Sequence, residues 1–433
     1  MIVYLVCYAA SLLLALSRHY LLSGAGLLAA AVYLYASDYI RSGNLLHLRG
    51  IFALSFVGGQ GLACMKLSYL SQAWSAGTWL GLLAAFAGFY LAFYYLEAFS
   101  GEASVRVGGH SGAVQRRGLE SYAGTVFFCA VALAVVSAGC FAIEAVYMGY
   151  IPLLLRGVPH AYSYFHVTGL HYLTVSCVLV PALSVIYFCI EGGRSRGRLV
   201  CMLLADAAAV AIPLLCVSRS QLLFAVLLAL ITYMQMEHQL NPIYVVFALA
   251  GLIMLYILLT IARSHDTAYL NTVFEMKRHL PIFVTQPYIY IANNYDNFNC
   301  MVEALPGHSF GFKGLFPLWA LSGLKFFFPQ LINFPIYVDK TELTTLTLFY
   351  DSYYDFGWIG VLLFSCILGA IAYILVVKLR EMRNPLGYLL YAQFAAYLML
   401  SFFTTWFSNT TTWFYLILTG IMALFYHLRA SRW

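Results

Sequence analysis

Charge is what this chain has least of. Asp, Glu, Lys and Arg make up 9% of its 433 residues, against roughly 25% in ordinary soluble domains. So few charges cannot cover a water-soluble fold of this length, and 63% hydrophobic residues leave lipid as the solvent. Motifs of familiar soluble chemistry are missing too. No GxxxxGK[ST], HExxH or GxSxG element occurs, and no DxD or ExD pair is spaced to hold a divalent ion beside a sugar phosphate. Neither a metal nor another cofactor is expected. No CxxC pair occurs, and nine of the ten cysteines fall in apolar runs, with Cys300 alone in a polar segment. That pattern argues against a disulfide framework and against zinc. The first apolar run lacks a basic leader and passes almost directly into a second, so no cleavable signal peptide is expected.

What the chain has is apolar length. A hydrocarbon core about 30 Å thick takes about 20 residues of helix to cross. The apolar runs predict twelve such helices, at 2–17, 20–36, 50–67, 78–96, 121–143, 168–190, 199–217, 221–238, 243–262, 356–377, 385–404 and 409–428. The expected fold is an all-α polytopic membrane protein, with a single transmembrane domain over 1–433. One large extracytoplasmic loop, 263–355, is inserted between the ninth and tenth helices. Its segments 268–280, 286–304 and 313–330 read as short interfacial helices. An even number of spans puts both termini on one side, here expected to be the cytoplasm. Thirteen Lys and Arg then lie inside and ten outside. Six of those ten belong to the long loop, and the positive-inside rule concerns short ones, where the ratio is thirteen to four. This dispersal explains the net charge of +6 better than nucleic acid does.

Polar residues collect on the outer side. Arg219 carries the most weight, because only Ser218, Arg219 and Ser220 join two apolar helices there. An arginine costs about 2.5–3.5 kcal/mol at a helix centre in a bilayer, and less near the surface. Snorkelling to headgroups accounts for such a residue. So does a guanidinium fork facing an anionic ligand such as a diphosphate. Arg156 and Arg263 are placed at the same depth, and His265 and Asp266 follow Arg263. In the long loop, Lys277, Arg278, Asn294, Tyr295, Asp296, Tyr350, Asp351, Tyr353, Tyr354 and Asp355 are candidate carbohydrate ligands. Tyrosine faces stack on the C–H faces of sugars, although interfacial aromatic belts explain single rings equally well. Asp206, deep in the seventh helix, is expected to make a structural hydrogen bond.

Three short segments resemble the O-antigen polymerase family, the Wzy-like polymerases of lipid-linked repeat units. Gly149-Tyr150-Ile151-Pro152-Leu153-Leu154 is similar to that family's "gIPLL" segment, and Ser218-Arg219-Ser220 to its "sRs" element. Phe349 to Gly360, FYDSYYDFGWIG, resembles its "yyDfGxxG" passage into the helix after the large loop. The paired Rx10G pattern of some members is missing. The resemblance implies a plasma-membrane glycosyltransferase that joins polyprenyl-diphosphate-linked oligosaccharide repeat units on the extracytoplasmic side. Its partners would be that lipid-linked substrate, membrane lipid, a chain-length regulator and a flippase, with no nucleic acid. Arg219, Arg263 and Arg156 would stabilise the departing diphosphate, and His265, Asp266, Asp351 or Asp355 would serve as base. A lipid-linked oligosaccharide flippase and a polysaccharide ligase are the alternatives.

Overall fold

The computed structural model describes residues 1–100, 122–155, 161–191, 195–237, 243, 251, 254, 267–278, 280–379, 382 and 384–430. Among them no β-strand occurs, only one isolated antiparallel bridge from Ser68 to Met276. In chain order the main helices are α1 (Ile2–Leu16), α2 (Tyr20–Ser42), α3 (Leu48–Cys64), α4 (Ala76–Ser100), α5 (Ala123–Met148), α6 (Leu170–Glu191) and α7 (Arg196–Leu215). There follow α8 (Arg219–Met236), α9 (Thr267–Phe274), α10 (Ile282–Ala304), α11 (Phe316–Leu321), α12 (Tyr350–Lys378), α13 (Leu386–Met399) and α14 (Thr410–Ala430). Eight of them, α2, α4 to α8, α12 and α14, are long and apolar enough to cross a membrane, while α1, α3 and α13 are apolar but shorter. The helix predicted at 243–262 lies almost wholly outside the described residues.

Contacts divide the chain into two compact units. The first comprises Met1–Gly109, Asp266–Lys378 and Tyr397–Trp413; the second comprises His110–His265, Leu379–Ala396 and Phe414–Trp433.

In the first unit α4 and α12 run against each other at glycines. A Cβ on Gly88 would stand 2.9 Å from the Leu362 carbonyl oxygen, and one on Gly369 would collide with that of Phe89. Small residues permit this approach, which matters in lipid because helices there associate through packing rather than hydrophobic drive. The core beside them is aromatic, with Phe52 stacked on Phe56 at 5.2 Å and Phe349 edge-on to Phe56 at 5.1 Å.

Two basic residues counted above as loop charges are buried in ion pairs. Arg49 binds Asp38 at 2.6 Å and Glu97 at 3.3 Å, with its guanidinium beside the rings of Tyr90 and Phe93. Lys66 pairs with Asp296 and lies 4.2 Å from the Trp74 ring. One comes from each side of the charge count, so the bias keeps its direction.

Helix α10 departs most from expectation. Its seven consecutive residues Asn293 to Asn299 are all buried, so the helix is covered on every face and does not lie on a surface. The polar side chains survive there because each is matched, as burial demands. Asn297 Nδ2 donates to the carbonyls of Leu343 (2.8 Å) and Thr345 (2.9 Å), and the Tyr295 hydroxyl donates to that of Phe56 at 2.7 Å.

The second unit is built on α5 to α8 with most of α13 and α14. Some of its internal polar groups pair across helices. Ser184 Oγ donates to Asp206 at 2.7 Å, the structural bond expected of that carboxylate, and Gln393 Nε2 donates to Thr419 Oγ1 at 2.8 Å.

Candidate functional site

One end of the second unit carries the α7–α8 turn. Helix α7 closes with the Ser218 N–H on the Pro213 carbonyl (2.8 Å) and the Val217 N–H on that of Leu214 (2.9 Å). This is a Schellman closure, whose left-handed position usually belongs to glycine. Here it is Val217, at φ 54°. A β-branched residue pays about 1–2 kcal/mol for that conformation. Burial offsets the strain: Val217 is packed with Leu222, Val210 and Leu214, and burying a valine-sized side chain contributes about 1.5–3 kcal/mol. Arg219 is the first residue of α8 and half-buried, and no Ser218 side-chain cap occupies the first N–H groups of that helix.

The same end holds a pair that the sequence reading did not single out. Glu144, near the C-terminus of α5, is fully buried, and its carboxylate meets His171 Nδ1 at 3.1 and 3.2 Å and accepts the Val167 N–H at 2.9 Å. His171, in the first turn of α6, keeps 29% of its side chain exposed. The ring of His166 lies 6.3 Å away, edge-on. Helix α7 packs on both α5 and α6. The carboxylate–imidazole pair and the turn leading to Arg219 therefore belong to one neighbourhood. Arg156, Arg263, His265 and Asp266 lie outside the described residues.

In the first unit, the segment Tyr350 to Gly360 opens α12. Phe356 (φ −141°, ψ 19°) and Gly357 (φ 61°, ψ −152°) interrupt the helix, so Tyr350 to Asp355 form a short turn of helix ahead of the long one. Gly357 is needed twice over, for its positive φ and because a Cβ would stand 3.2 Å from His308 Nε2.

Asp355 is buried beneath this break and grips the turn at 309–314. Ser309 Oγ, the Lys313 N–H (3.2 Å) and the Gly314 N–H (2.8 Å) all donate to its carboxylate. Its partners among the described residues are thus a hydroxyl and backbone amides. Lys313 reaches back over the Tyr354 ring at 4.0 Å and stands 3.6 Å from Asp351 Oδ1. Burial pulls the Lys313 ammonium below the usual lysine range, and Asp351 opposes that pull without cancelling it. Tyr350 exchanges hydrogen bonds with the Tyr337 backbone (2.8 and 3.0 Å), and Tyr353 packs edge-on against Phe298 at 5.3 Å. The structure thus gathers Tyr350, Asp351, Tyr354 and Asp355 around Lys313, a residue that carried no role in the sequence reading.

The other loop candidates sit apart from that cluster. Asn294 accepts from Thr345 Oγ1 and donates to the Phe402 carbonyl, both at 2.6 Å, while Asp296 accepts from Trp74 Nε1 at 2.6 Å as well as from Lys66. Together with Tyr295 they are buried in α10. Lys277 and Arg278 are exposed, and Lys277 Nζ donates to the Lys66 carbonyl at 2.7 Å. Compared with protein-family models, curated proteins and solved structures, the chain matches none of them.

Proposed function

We propose that the protein is a membrane glycosyltransferase that polymerises polyprenyl-diphosphate-linked oligosaccharide repeat units. The observation that carries the reading is the α7–α8 turn, where a strained Val217 delivers the half-buried Arg219 to the N-terminus of an apolar helix. A guanidinium and the positive end of a helix dipole, both at the edge of lipid, suit a lipid diphosphate.

In the proposed reaction a hydroxyl of one lipid-linked unit attacks C1 of the sugar at the reducing end of the growing chain. The new O–C1 bond forms as the bond from C1 to the diphosphate oxygen breaks, and the diphosphate leaves with the electron pair. Charge therefore builds on the diphosphate in the transition state. A fixed cation there acts where it lowers the barrier most. Arg219 is the first candidate, with Arg263 and Arg156 after it.

The proposed topology completes the reading. Twelve spans place both termini in the cytoplasm of a plasma-membrane protein, and 263–355, with the Arg219 turn, faces outward. Incubating purified, reconstituted protein with a single lipid-linked repeat unit tests the function. A polymerase makes a ladder of regularly spaced products, whereas a flippase moves the substrate unchanged and a ligase needs a different acceptor. Absence of any ladder under conditions that keep the protein folded would overturn the proposal.

A further inference from the structure

We infer that His171 is the base that takes the acceptor hydroxyl's proton and that Glu144 is its positioning residue, an inference that rests on the polymerase reading. A carboxylate can only accept hydrogen bonds, so His171 Nδ1, 3.1 Å from Glu144 Oε2, must carry the hydrogen between them. The neutral ring then has its lone pair on Nε2, the nitrogen turned away from Glu144. The Val167 N–H at 2.9 Å holds the carboxylate from a second direction and fixes the plane in which the imidazole sits.

Burial makes the arrangement one-sided. Glu144 is fully buried, so no substrate reaches it, while His171 keeps 29% of its side chain exposed. A buried carboxylate orienting a partly exposed imidazole is the arrangement a general base requires, and one that a structural pair does not need. Helix α7, which leads to Arg219, packs on α5 and α6, which carry Glu144 and His171, so base and diphosphate-binding cation belong to the same end of one unit. In the reaction, the acceptor O–H proton passes to Nε2 as the O–C1 bond forms. The departing diphosphate keeps the electrons of the broken C1–O bond, and the imidazolium later returns its proton to water.

At the ends of the elements around His171 the titratable and charged groups include Glu144, Cys140 and Tyr147 on α5, Tyr150, Tyr164 and His166 between α5 and α6, Tyr172 and Cys177 within α6, and Cys216 and Arg219 at the α7–α8 turn. Among the described residues Glu144 alone lies within hydrogen-bond reach of the ring. The test uses the full-length protein in proteoliposomes with one lipid-linked repeat unit, and obtains kcat and KM from initial polymerisation rates across substrate concentrations. His171→Ala and Glu144→Gln should each lose about 100-fold or more, the scale of general-base catalysis, while Glu144→Asp should keep much more activity than Glu144→Gln. Each variant is compared per folded, inserted molecule, matched by gel filtration in detergent, so that a loss does not reflect misfolding.

The Glu144→Gln loss should fall on kcat, with KM for the lipid-linked unit little changed, because Glu144 orients the base and touches no substrate. His171→Ala activity close to wild type would overturn the inference while the ladder leaves the polymerase reading standing. A Glu144→Gln protein that keeps the wild-type kcat would overturn it as well, leaving the pair a structural one. A wild-type protein that makes no ladder would overturn the reading, and this inference with it.

Discussion

Lys313 Nζ lies 3.6 Å from Asp351 Oδ1, within reach of ion-pair attraction but too far for a hydrogen bond. Neither atom has a hydrogen-bond partner among the described residues, and both side chains are buried. Removing one member of a buried pair strands the other at a cost of about 3–5 kcal/mol, whereas replacing both costs far less. Lys313→Met should therefore destabilise the protein on that scale, and Lys313→Met/Asp351→Asn should recover most of the loss. A double-mutant cycle on denaturant unfolding in detergent measures the coupling. Additive losses would mean that the two residues act independently.

Asp355 is better placed to hold the 309–314 turn than to accept a proton from substrate. It is 4% exposed, and donors already occupy its oxygens. In Asp355→Asn the amide nitrogen would face a backbone N–H. That change should cost about 1–3 kcal/mol of stability while leaving most of the polymerising activity per folded molecule. A folded, inactive Asp355→Asn protein would instead make this carboxylate part of the chemistry.

The proposed orientation puts Ser195, the exposed residue before α7, in the cytoplasm. A cysteine introduced at position 195 of a protein stripped of its native cysteines should resist an impermeant thiol reagent in intact cells and react after lysis. Labelling from outside would reverse the topology.

The sequence contains no carboxylate pair with the spacing of a divalent-ion site, so polymerisation in vitro should survive EDTA. Activity lost on chelation and restored by Mg²⁺ or Mn²⁺ would require carboxylates brought together from distant segments.

Much of the architecture was readable because lipid enforces a single length scale. The runs at 20–36, 78–96 and 121–143 became α2, α4 and α5 with ends displaced by only a few residues, since apolar stretches long enough to cross have few alternatives. The helix expected to begin at 356 does begin there, after the break that Phe356 and Gly357 make in α12. Helix α10 was not readable as buried, because Asn293, Asn294, Asp296, Asn297 and Asn299 look like a surface until the carbonyls of Phe402, Leu343 and Thr345 are seen to meet them. Glu144 was hidden for the opposite reason, as one acid inside an apolar helix. Its partner His171 lies 27 residues away, and neither residue suggests a pair until the turn between α5 and α6 brings them together. Lys313 gave no signal either, since its burial is made by aromatic residues from another segment.

Arg219 tests the account most directly. Wild-type, Arg219→Ala and Arg219→Lys proteins, matched for insertion and folding, would be reconstituted and supplied with one polyprenyl-diphosphate-linked repeat unit, and ladder formation and released polyprenyl diphosphate would be measured together. The account predicts both products from the wild type, neither from Arg219→Ala, and little from Arg219→Lys, because a point charge does not replace a bidentate fork. An Arg219→Ala protein that builds polymer as fast as the wild type would contradict it and reduce Arg219 to a headgroup anchor.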